Sequence, residues 1–289
     1  MRRQTTPFAL VAALVAAVVT AACASTSVEP DAGPAASSTD APPTSQSPAP
    51  ASTASTDVVG AELAGRWAHF DIVAYEEDVL KTQIISYGFN DFSVADGRIV
   101  DQASFCFAEQ RTNQPIETSL SDAATQAIQP PSTTLDVTVV DGRLRISRAA
   151  TPTPVGISLA NPATESLPSE PDAAQLVDAD SDGKPGITVT IRVTDDLTGE
   201  LYIARLEIFA WEGSLVTPDR IEGLVTDTSQ QLVLGASDPI FATAGSGWVQ
   251  HADLTESPLL LVRVDDTWDC ERLRRERDRL FPPVPPIDW

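Results

Sequence analysis

Two Asp-Gly pairs with alternating apolar and polar residues on both sides constrain the fold of this chain more than any other feature. Asp96-Gly97 lies within Phe92–Val100, and Asp141-Gly142 lies within Leu135–Ile146. A type I′ turn needs positive φ at both central residues, which Asp and Gly tolerate, so each pair predicts a β-hairpin. The chain is therefore expected to contain short antiparallel strands.

The same period of two recurs along residues 58–289, which are expected to form a single β-domain. Ile187–Thr194, for example, alternates apolar and polar residues, as a strand with one buried face does. Weaker turn candidates are Thr198-Gly199 and Glu212-Gly213. The pattern predicts an all-β fold, an antiparallel meander of about ten strands. The candidate strands cover residues 66–75, 83–94, 99–108, 135–146, 187–194, 201–211, 223–234, 247–252 and 259–264.

Two short helices are expected beside the strands. Residues 121–128 begin at Ser121, a favourable N-cap residue, and residues 269–280 precede Pro282-Pro283. The second prediction places a short helix close to the C-terminus.

A run of short antiparallel strands commonly forms a closed barrel or a two-sheet sandwich. Near the first strand, Gly65-Arg66-Trp67 is similar to the Gly-x-Trp that opens the lipocalin barrel, and a helix follows the last strand as in that family. The resemblance implies a barrel in which Trp67 is a core aromatic closing one end. We therefore favour a lipocalin-like barrel, and the sandwich remains the alternative.

The N-terminus has the pattern of a secretory signal peptide. Arg2 and Arg3 precede an apolar run from Phe8 to Val19, and small residues follow. A membrane-spanning helix needs about 20 apolar residues, so the run is too short to be one. Residues 1–22 are therefore expected to be a signal peptide.

Cys23 directly follows these small residues, and this arrangement resembles the lipobox of bacterial lipoproteins. The resemblance implies that the Cys23 thiol carries a diacylglycerol and that the protein is exported and held on the membrane by its N-terminal lipid. Ala24 follows the cysteine, which in two-membrane bacteria implies the outer membrane. An ordinary signal peptide with a cysteine nearby is the alternative.

Residues 23–57 are expected to be a disordered tether. After Cys23 they are almost entirely Ala, Ser, Thr, Pro, Asp and Gly, with no aromatic residue. Such a segment cannot bury enough apolar surface to fold. A flexible chain of this length has a root-mean-square span of about 30 Å, so the domain is expected to be held close to the membrane.

Charge and cysteine content limit the partners and the compartment. The formal net charge of −22 argues against nucleic acid, because phosphate binding needs clustered Lys and Arg. If Cys23 is lipidated, Cys106 and Cys270 are the two remaining cysteines. In an exported chain they are expected to form one disulfide, and two free buried thiols are the alternative.

Asp178, Asp180 and Asp182 form the sharpest chemical motif of the chain. Three carboxylates at alternating positions can converge on one hard cation if the backbone wraps around it. Gly183 permits the sharp turn, and the carbonyl of Lys184 is a further candidate ligand.

The motif matches the first half of an EF-hand loop, but Pro185 and Val189 depart from the second half. It resembles the calcium loops of thrombospondin type 3 and dockerin-like segments, which implies a structural Ca²⁺ site. The alternative is an acidic turn satisfied by water. Candidates for the missing ligands are Glu165, Glu170, Asp172, Asp195 and Asp196.

Signatures of catalysis are scarce in this sequence. It contains no Gly-x-Ser-x-Gly, no phosphate-binding Gly loop, no His-Glu-x-x-His and no Cys-x-x-Cys, and His69 and His251 lack metal-ligand spacing. We therefore expect a non-enzymatic protein that binds a small apolar ligand or an envelope protein, or a structural barrel filled by its own side chains. A secreted hydrolase using paired carboxylates is the alternative.

Overall fold

The computed structural model describes residues 60, 62–242 and 247–289. The predicted signal peptide, Cys23 and the predicted tether lie outside these residues. The described strands are β1 (Gly65–Glu77), β2 (Leu80–Ala95), β3 (Arg98–Thr112), β4 (Glu117–Leu120), β5 (Thr133–Val140), β6 (Arg143–Arg148), β7 (Thr153–Val155), β8 (Ile187–Thr194), β9 (Leu197–Glu207), β10 (Phe209–Thr217), β11 (Arg220–Asp227), β12 (Gln230–Ala236), β13 (Val249–Gln250) and β14 (Pro258–Val264). The described α-helices are α1 (Asp122–Gln126) and α2 (Cys270–Leu280).

Nine of these strands form one antiparallel sheet that is nearly closed into a ring. Its order is β13-β1-β14-β11-β10-β6-β5-β3-β2, and β1 also pairs with β2. The narrowest contact in the ring is between β3 and β5, where only Val100 with Thr134 and Asp101 with Thr133 are paired. The predicted all-β, antiparallel character is therefore confirmed.

A second sheet, which the sequence did not predict as separate, has the order β12-β9-β8-β4, with β7 also paired to β9. The predicted strands 201–211 and 223–234 are wrong as single elements, because each is divided between the two sheets. At the crossing, the Ile208 N–H donates to Ser229 Oγ at 2.8 Å and the Thr228 N–H donates to the Ile208 carbonyl at 3.0 Å. The residues on both sides of each crossing are strand-like, so hydropathy shows no break there.

The two strong hairpin predictions are confirmed and the two weaker turn candidates are wrong. Asp96 and Gly97 have φ of 49° and 72°, and Asp141 and Gly142 have φ of 51° and 76°. Thr198-Gly199, in contrast, lies inside β9 and Glu212-Gly213 inside β10. Position 199 requires a glycine for a steric reason: a Cβ there would lie 2.1 Å from the ring of Phe241.

The inner face of the nine-stranded sheet is packed with its own side chains. Trp67 is fully buried, and its Nε1 donates to the Leu63 carbonyl at 2.9 Å. The Arg263 guanidinium lies 4.2 Å above the Trp67 ring. Trp211, also buried, belongs to the same apolar cluster. Trp67 is therefore the core aromatic that the sequence predicts.

The outer face of the same sheet is covered by α2 and the segment after it. Phe281 stacks on Phe70 with ring centroids 5.2 Å apart. Cys106 on β3 and Cys270 at the start of α2 form a disulfide with a Cα–Cα distance of 5.2 Å. The predicted pairing and the predicted C-terminal helix are both confirmed. None of the helices in the described part of the chain combines the length and apolar composition needed to cross a membrane.

Candidate metal centre

The loop of Asp178, Asp180 and Asp182 precedes β8 in the five-stranded sheet. Ser181, Gly183 and Gly186 have φ of 61°, 85° and 85°, so the backbone turns sharply three times within six residues. A glycine adopts this left-handed region without the steric cost that a Cβ brings. The chain thereby coils tightly enough to bring alternating side chains together.

Hydrogen bonds from the backbone hold the three carboxylates in place. Asp178 accepts the N–H of Asp182 at 3.1 Å on one oxygen and the N–H of Gly183 at 2.9 Å on the other. Asp180 Oδ2 accepts the Thr188 N–H at 2.9 Å, and Asp182 Oδ2 accepts the Thr188 hydroxyl at 2.5 Å. The loop is therefore preorganised by its own main chain and by Thr188 near the start of β8.

The carboxylates converge. One oxygen from each of Asp178, Asp180 and Asp182 lies within 4.8 Å of the others. Oδ1 of Asp180 is shielded from solvent and has no hydrogen-bond partner in the described part of the chain. A shielded carboxylate oxygen without a hydrogen-bond donor destabilises the folded state, and coordination of a hard cation removes this cost. The residues present therefore suit a metal ion that prefers oxygen ligands.

The side chain of Lys184 forms ion pairs beside the carboxylate cluster. Its Nζ is 2.6 Å from Glu200 Oε2 and 3.6 Å from Asp182 Oδ2. The hydrogen bond from the Thr188 hydroxyl, with help from Lys184, holds the pKa of Asp182 below its usual range. The ammonium group thus neutralises part of the acidic cluster. The carbonyl of Lys184 stays a predicted ligand.

The structure brings none of the five additional candidate ligands into the described cluster. Glu165 accepts the N–H groups of Ala160 and Asn161, both at 3.1 Å, and Asp172 belongs to a capping box. Glu200, which the sequence analysis missed, is the nearby acid instead. The register of the β8–β9 hairpin pairs Thr190 with Glu200, and a correct turn assignment at 195–196 would have indicated it.

Two glycines allow the backbone of the loop to pack directly on β9, and the loop is in this sense seated on that strand. A Cβ on Gly186 would lie 2.2 Å from the carbonyl oxygen of Ile203, and a Cβ on Gly156 would lie 2.6 Å from the Cα of Gly186. Ala179 donates to the Gly186 carbonyl at 2.9 Å, which closes the loop at its base. The coil is therefore fixed to the sheet at one point.

A second polar constellation lies inside the nine-stranded sheet, and the sequence analysis missed it. It consists of His69, Asp71, Asn90, Asp101 and Arg148, all at most 2% exposed. Asn90 Nδ2 donates to both oxygens of Asp101, at 2.8 and 3.0 Å. The Asn90 carbonyl oxygen therefore accepts from His69 Nδ1 at 2.7 Å, while His69 Nε2 lies 2.6 Å from Asp71. The network joins four strands of the sheet.

A third cluster pairs two carboxylates where the sheets meet. The Ser229 hydroxyl is 2.8 Å from Asp227 Oδ2 and 3.0 Å from Glu207 Oε2. Burial, and then the negative charge of Glu207, raise the pKa of Asp227. Arg205 Nε donates to Glu207 at 2.5 Å. The hydrolase alternative requires an acid pair, and this cluster is one arrangement of two carboxylates about a shared hydroxyl.

Comparison of the chain with protein-family models, curated protein sequences and solved structures found no match.

Proposed function

We propose that this protein is a lipid-anchored, exported envelope protein whose non-enzymatic β-domain is stabilised by Ca²⁺ bound at Asp178, Asp180 and Asp182. The observation that carries the proposal is the convergence of three carboxylates within 4.8 Å, one of them with a shielded and unpartnered oxygen. Oxygen ligands on an irregular loop favour Ca²⁺ over a cation that demands ideal octahedral geometry. The role is structural, because the loop is seated on β9.

The disulfide supports export. Disulfides form and persist in oxidising compartments and are rare in the cytosol. The Cys106–Cys270 bond links β3 to α2 across 164 positions of sequence. It agrees with the signal-peptide and lipobox patterns of residues 1–23, which point to the same compartment. The acidic composition keeps nucleic acid out of the proposed partners.

The filled interior favours a partner at the surface. We assign the lipocalin-like barrel expected from the sequence to the nine-stranded sheet. Two buried tryptophans and a charged network occupy its inner face, rather than the apolar pocket with few polar groups that small ligands prefer. An envelope protein is therefore the proposed partner ahead of a small apolar ligand.

Calorimetric titration of the mature protein with Ca²⁺ tests the metal site. We expect one ion per chain with a dissociation constant of about 10⁻⁴–10⁻³ M, as in extracellular modules. Asp180→Asn should abolish the binding heat. Asp195→Asn is the matched control, because this aspartate is 99% exposed and lies at the other end of β8 from the loop. Equal heats for Asp180→Asn and the wild type would contradict the proposal.

The anchor is tested separately. Wild-type protein expressed with its own N-terminus should partition into detergent and carry the mass of a diacylglycerol, while Cys23→Ala should lack both properties. A wild-type chain without added lipid mass would contradict the proposed lipid anchor. It would not affect the proposed metal site.

The hydrolase alternative rests on Glu207 and Asp227. Two carboxylates near one hydroxyl, one with a raised pKa, resemble an acid and base pair. A panel of chromogenic glycosides and esters tests it. Turnover by the wild type that is lost in both Glu207→Gln and Asp227→Asn would favour this function over the non-enzymatic one.

A further inference from the structure

Three hairpins of the nine-stranded sheet share one sequence pattern at their tips. Each has an exposed valine before the turn, an aspartate in the turn and an arginine as the first residue of the next strand. The valines are Val94, Val140 and Val216, and they are 51%, 42% and 39% exposed. We call residues 94–98, 140–143 and 216–220 together the hairpin end.

The strand registers place these three tips at the same end of the sheet. Val100 pairs with Thr134, and β5 runs antiparallel to β3, so β5 continues past the start of β3 to its own turn. Ser214 pairs with Arg145, so the β10–β11 turn lies at the level of the β5–β6 turn. The tips therefore present their valines and arginines on one side of the domain.

The domain receives its N-terminal segment at this end. A Cβ on Gly60 would lie 2.9 Å from Cγ2 of Val94, so the first described residue touches one tip. Arg263 donates to the Ala64 carbonyl at 2.7 Å and to the Pro218 carbonyl at 3.2 Å, which ties the same segment to another tip. The residues that precede Gly60, including the predicted lipid-bearing Cys23, are therefore joined to the hairpin end.

Charge distinguishes the three tips from the β1–β2 turn at the opposite end. Each tip carries one aspartate and one arginine and is formally neutral. At the opposite end, the β1–β2 turn also exposes a valine, Val79 at 68%, but Glu76, Glu77 and Asp78 precede it. An anionic surface therefore repels the Val79 turn and not the three tips.

We infer that the hairpin end docks on the anionic phospholipid bilayer that holds the lipid anchor. The inference rests on the proposed lipidation of Cys23. The valines enter the interface while Arg98 and Arg143 meet lipid phosphates, and Arg220 stays paired with Glu222 at 2.7 Å. The tether predicted for residues 23–57 would supply an effective concentration in the millimolar range, so three small contacts suffice where a free domain would not bind.

Hydrogen exchange of the intact lipidated protein in vesicles of phosphatidylethanolamine and phosphatidylglycerol tests the inference. We expect slower amide exchange in peptides covering all three tips than in vesicles of phosphatidylcholine alone. A domain docked about two-thirds of the time exchanges about threefold more slowly at the covered sites. The peptide covering the Val79 turn should exchange at the same rate on both lipids.

The variant Val94→Asp, Val140→Asp, Val216→Asp should lose the slowing, and Val79→Asp, the matched control, should keep it. All four positions are exposed, so each variant is expected to fold. Unchanged exchange at the tips of vesicle-bound wild type would overturn the inference. Slowing that follows protein density in the vesicle rather than lipid charge would assign the tips to a second copy of the chain and overturn it too. Failure of the wild type to float with vesicles would instead count against the lipid anchor itself.

Discussion

Nε of Arg148 donates to Oδ2 of Asp101 at 2.8 Å, and these side chains are 1% and 0% exposed. Burial raises the pKa of Asp101 and lowers the pKa of Arg148, so desolvation outweighs the attraction between the two charges. A buried ion pair of this kind stabilises a fold less than its short distance suggests. Its expected effect is to fix which strands meet inside the sheet.

Removal of one partner of this pair should destabilise the protein strongly. Arg148→Met leaves a buried carboxylate without its cation and is expected to lower the free energy of unfolding by about 3–5 kcal/mol. The double variant Asp101→Asn, Arg148→Met removes both charges and keeps an acceptor for the Asn90 amide, so it should lose much less. Chemical denaturation of the two single variants and the double variant measures this coupling. Additive losses would contradict it, and the exposed Arg275–Glu271 pair serves as a control with a loss below about 0.5 kcal/mol.

Stability should fall at alkaline pH through Tyr87. Burial, and then the charge of Glu109, raise the pKa of the Tyr87 phenol to about 12. Because the phenol of the unfolded chain ionises near pH 10, this contribution is complete below about pH 10 and is lost as the pH rises toward 12. Phenolate absorbance of the wild type minus that of Tyr87→Phe isolates this group. A difference curve with its midpoint near pH 10 would show that the phenol is not protected.

Reduction of the disulfide should cost more than the loss of most single contacts. The bond closes a loop of 164 positions, for which the chain-entropy model gives about 5 kcal/mol. For a domain of this size the melting temperature should fall by about 10–15 °C. Scanning calorimetry of the Cys106→Ala, Cys270→Ala variant measures it. An unchanged melting temperature would mean that the bond adds nothing to the packing of α2.

The two glycines of the metal loop should respond differently to alanine. At Gly183 no atom lies within 4 Å of the position of a Cβ, so Gly183→Ala causes no clash. Its only expected effect is the strain of an alanine at positive φ, which lowers the free energy of unfolding by about 1–2 kcal/mol. Gly186→Ala also brings a Cβ to 2.2 Å from the Ile203 carbonyl oxygen, so the loop must leave β9. Urea unfolding of both variants should show the larger loss for Gly186→Ala. Equal losses would mean that the seating on β9 is not tight.

The sequence indicates the local features of this fold better than its long-range ones. Asp96-Gly97 and Asp141-Gly142 mark turns because the preference for positive φ belongs to the residues themselves. The division into two sheets at Ile208 leaves no such mark, because the residues on both sides are equally strand-like. The number of strands was therefore underestimated and the five-stranded sheet was not foreseen.

In the candidate site, too, the sequence indicates local features better than long-range ones. Asp178, Asp180 and Asp182 converge as their spacing predicts, because a coil of six residues brings them together. Glu200 approaches Lys184 only through the pairing of β8 with β9, and Asp101 meets Arg148 across 47 positions. The turn at 195–196 sets the first of these contacts and could have indicated it. The second depends on the tertiary fold and has no pattern along the chain.

Thermal unfolding with and without calcium tests the central claim most directly. With a dissociation constant of about 10⁻⁴–10⁻³ M, about 10 mM Ca²⁺ should stabilise the folded protein by about 1.4–2.7 kcal/mol. The melting temperature of the mature wild type should therefore rise by about 3–10 °C over its value in chelator, and that of Asp180→Asn should not change. Equal melting temperatures of the wild type in calcium and in chelator would contradict the account.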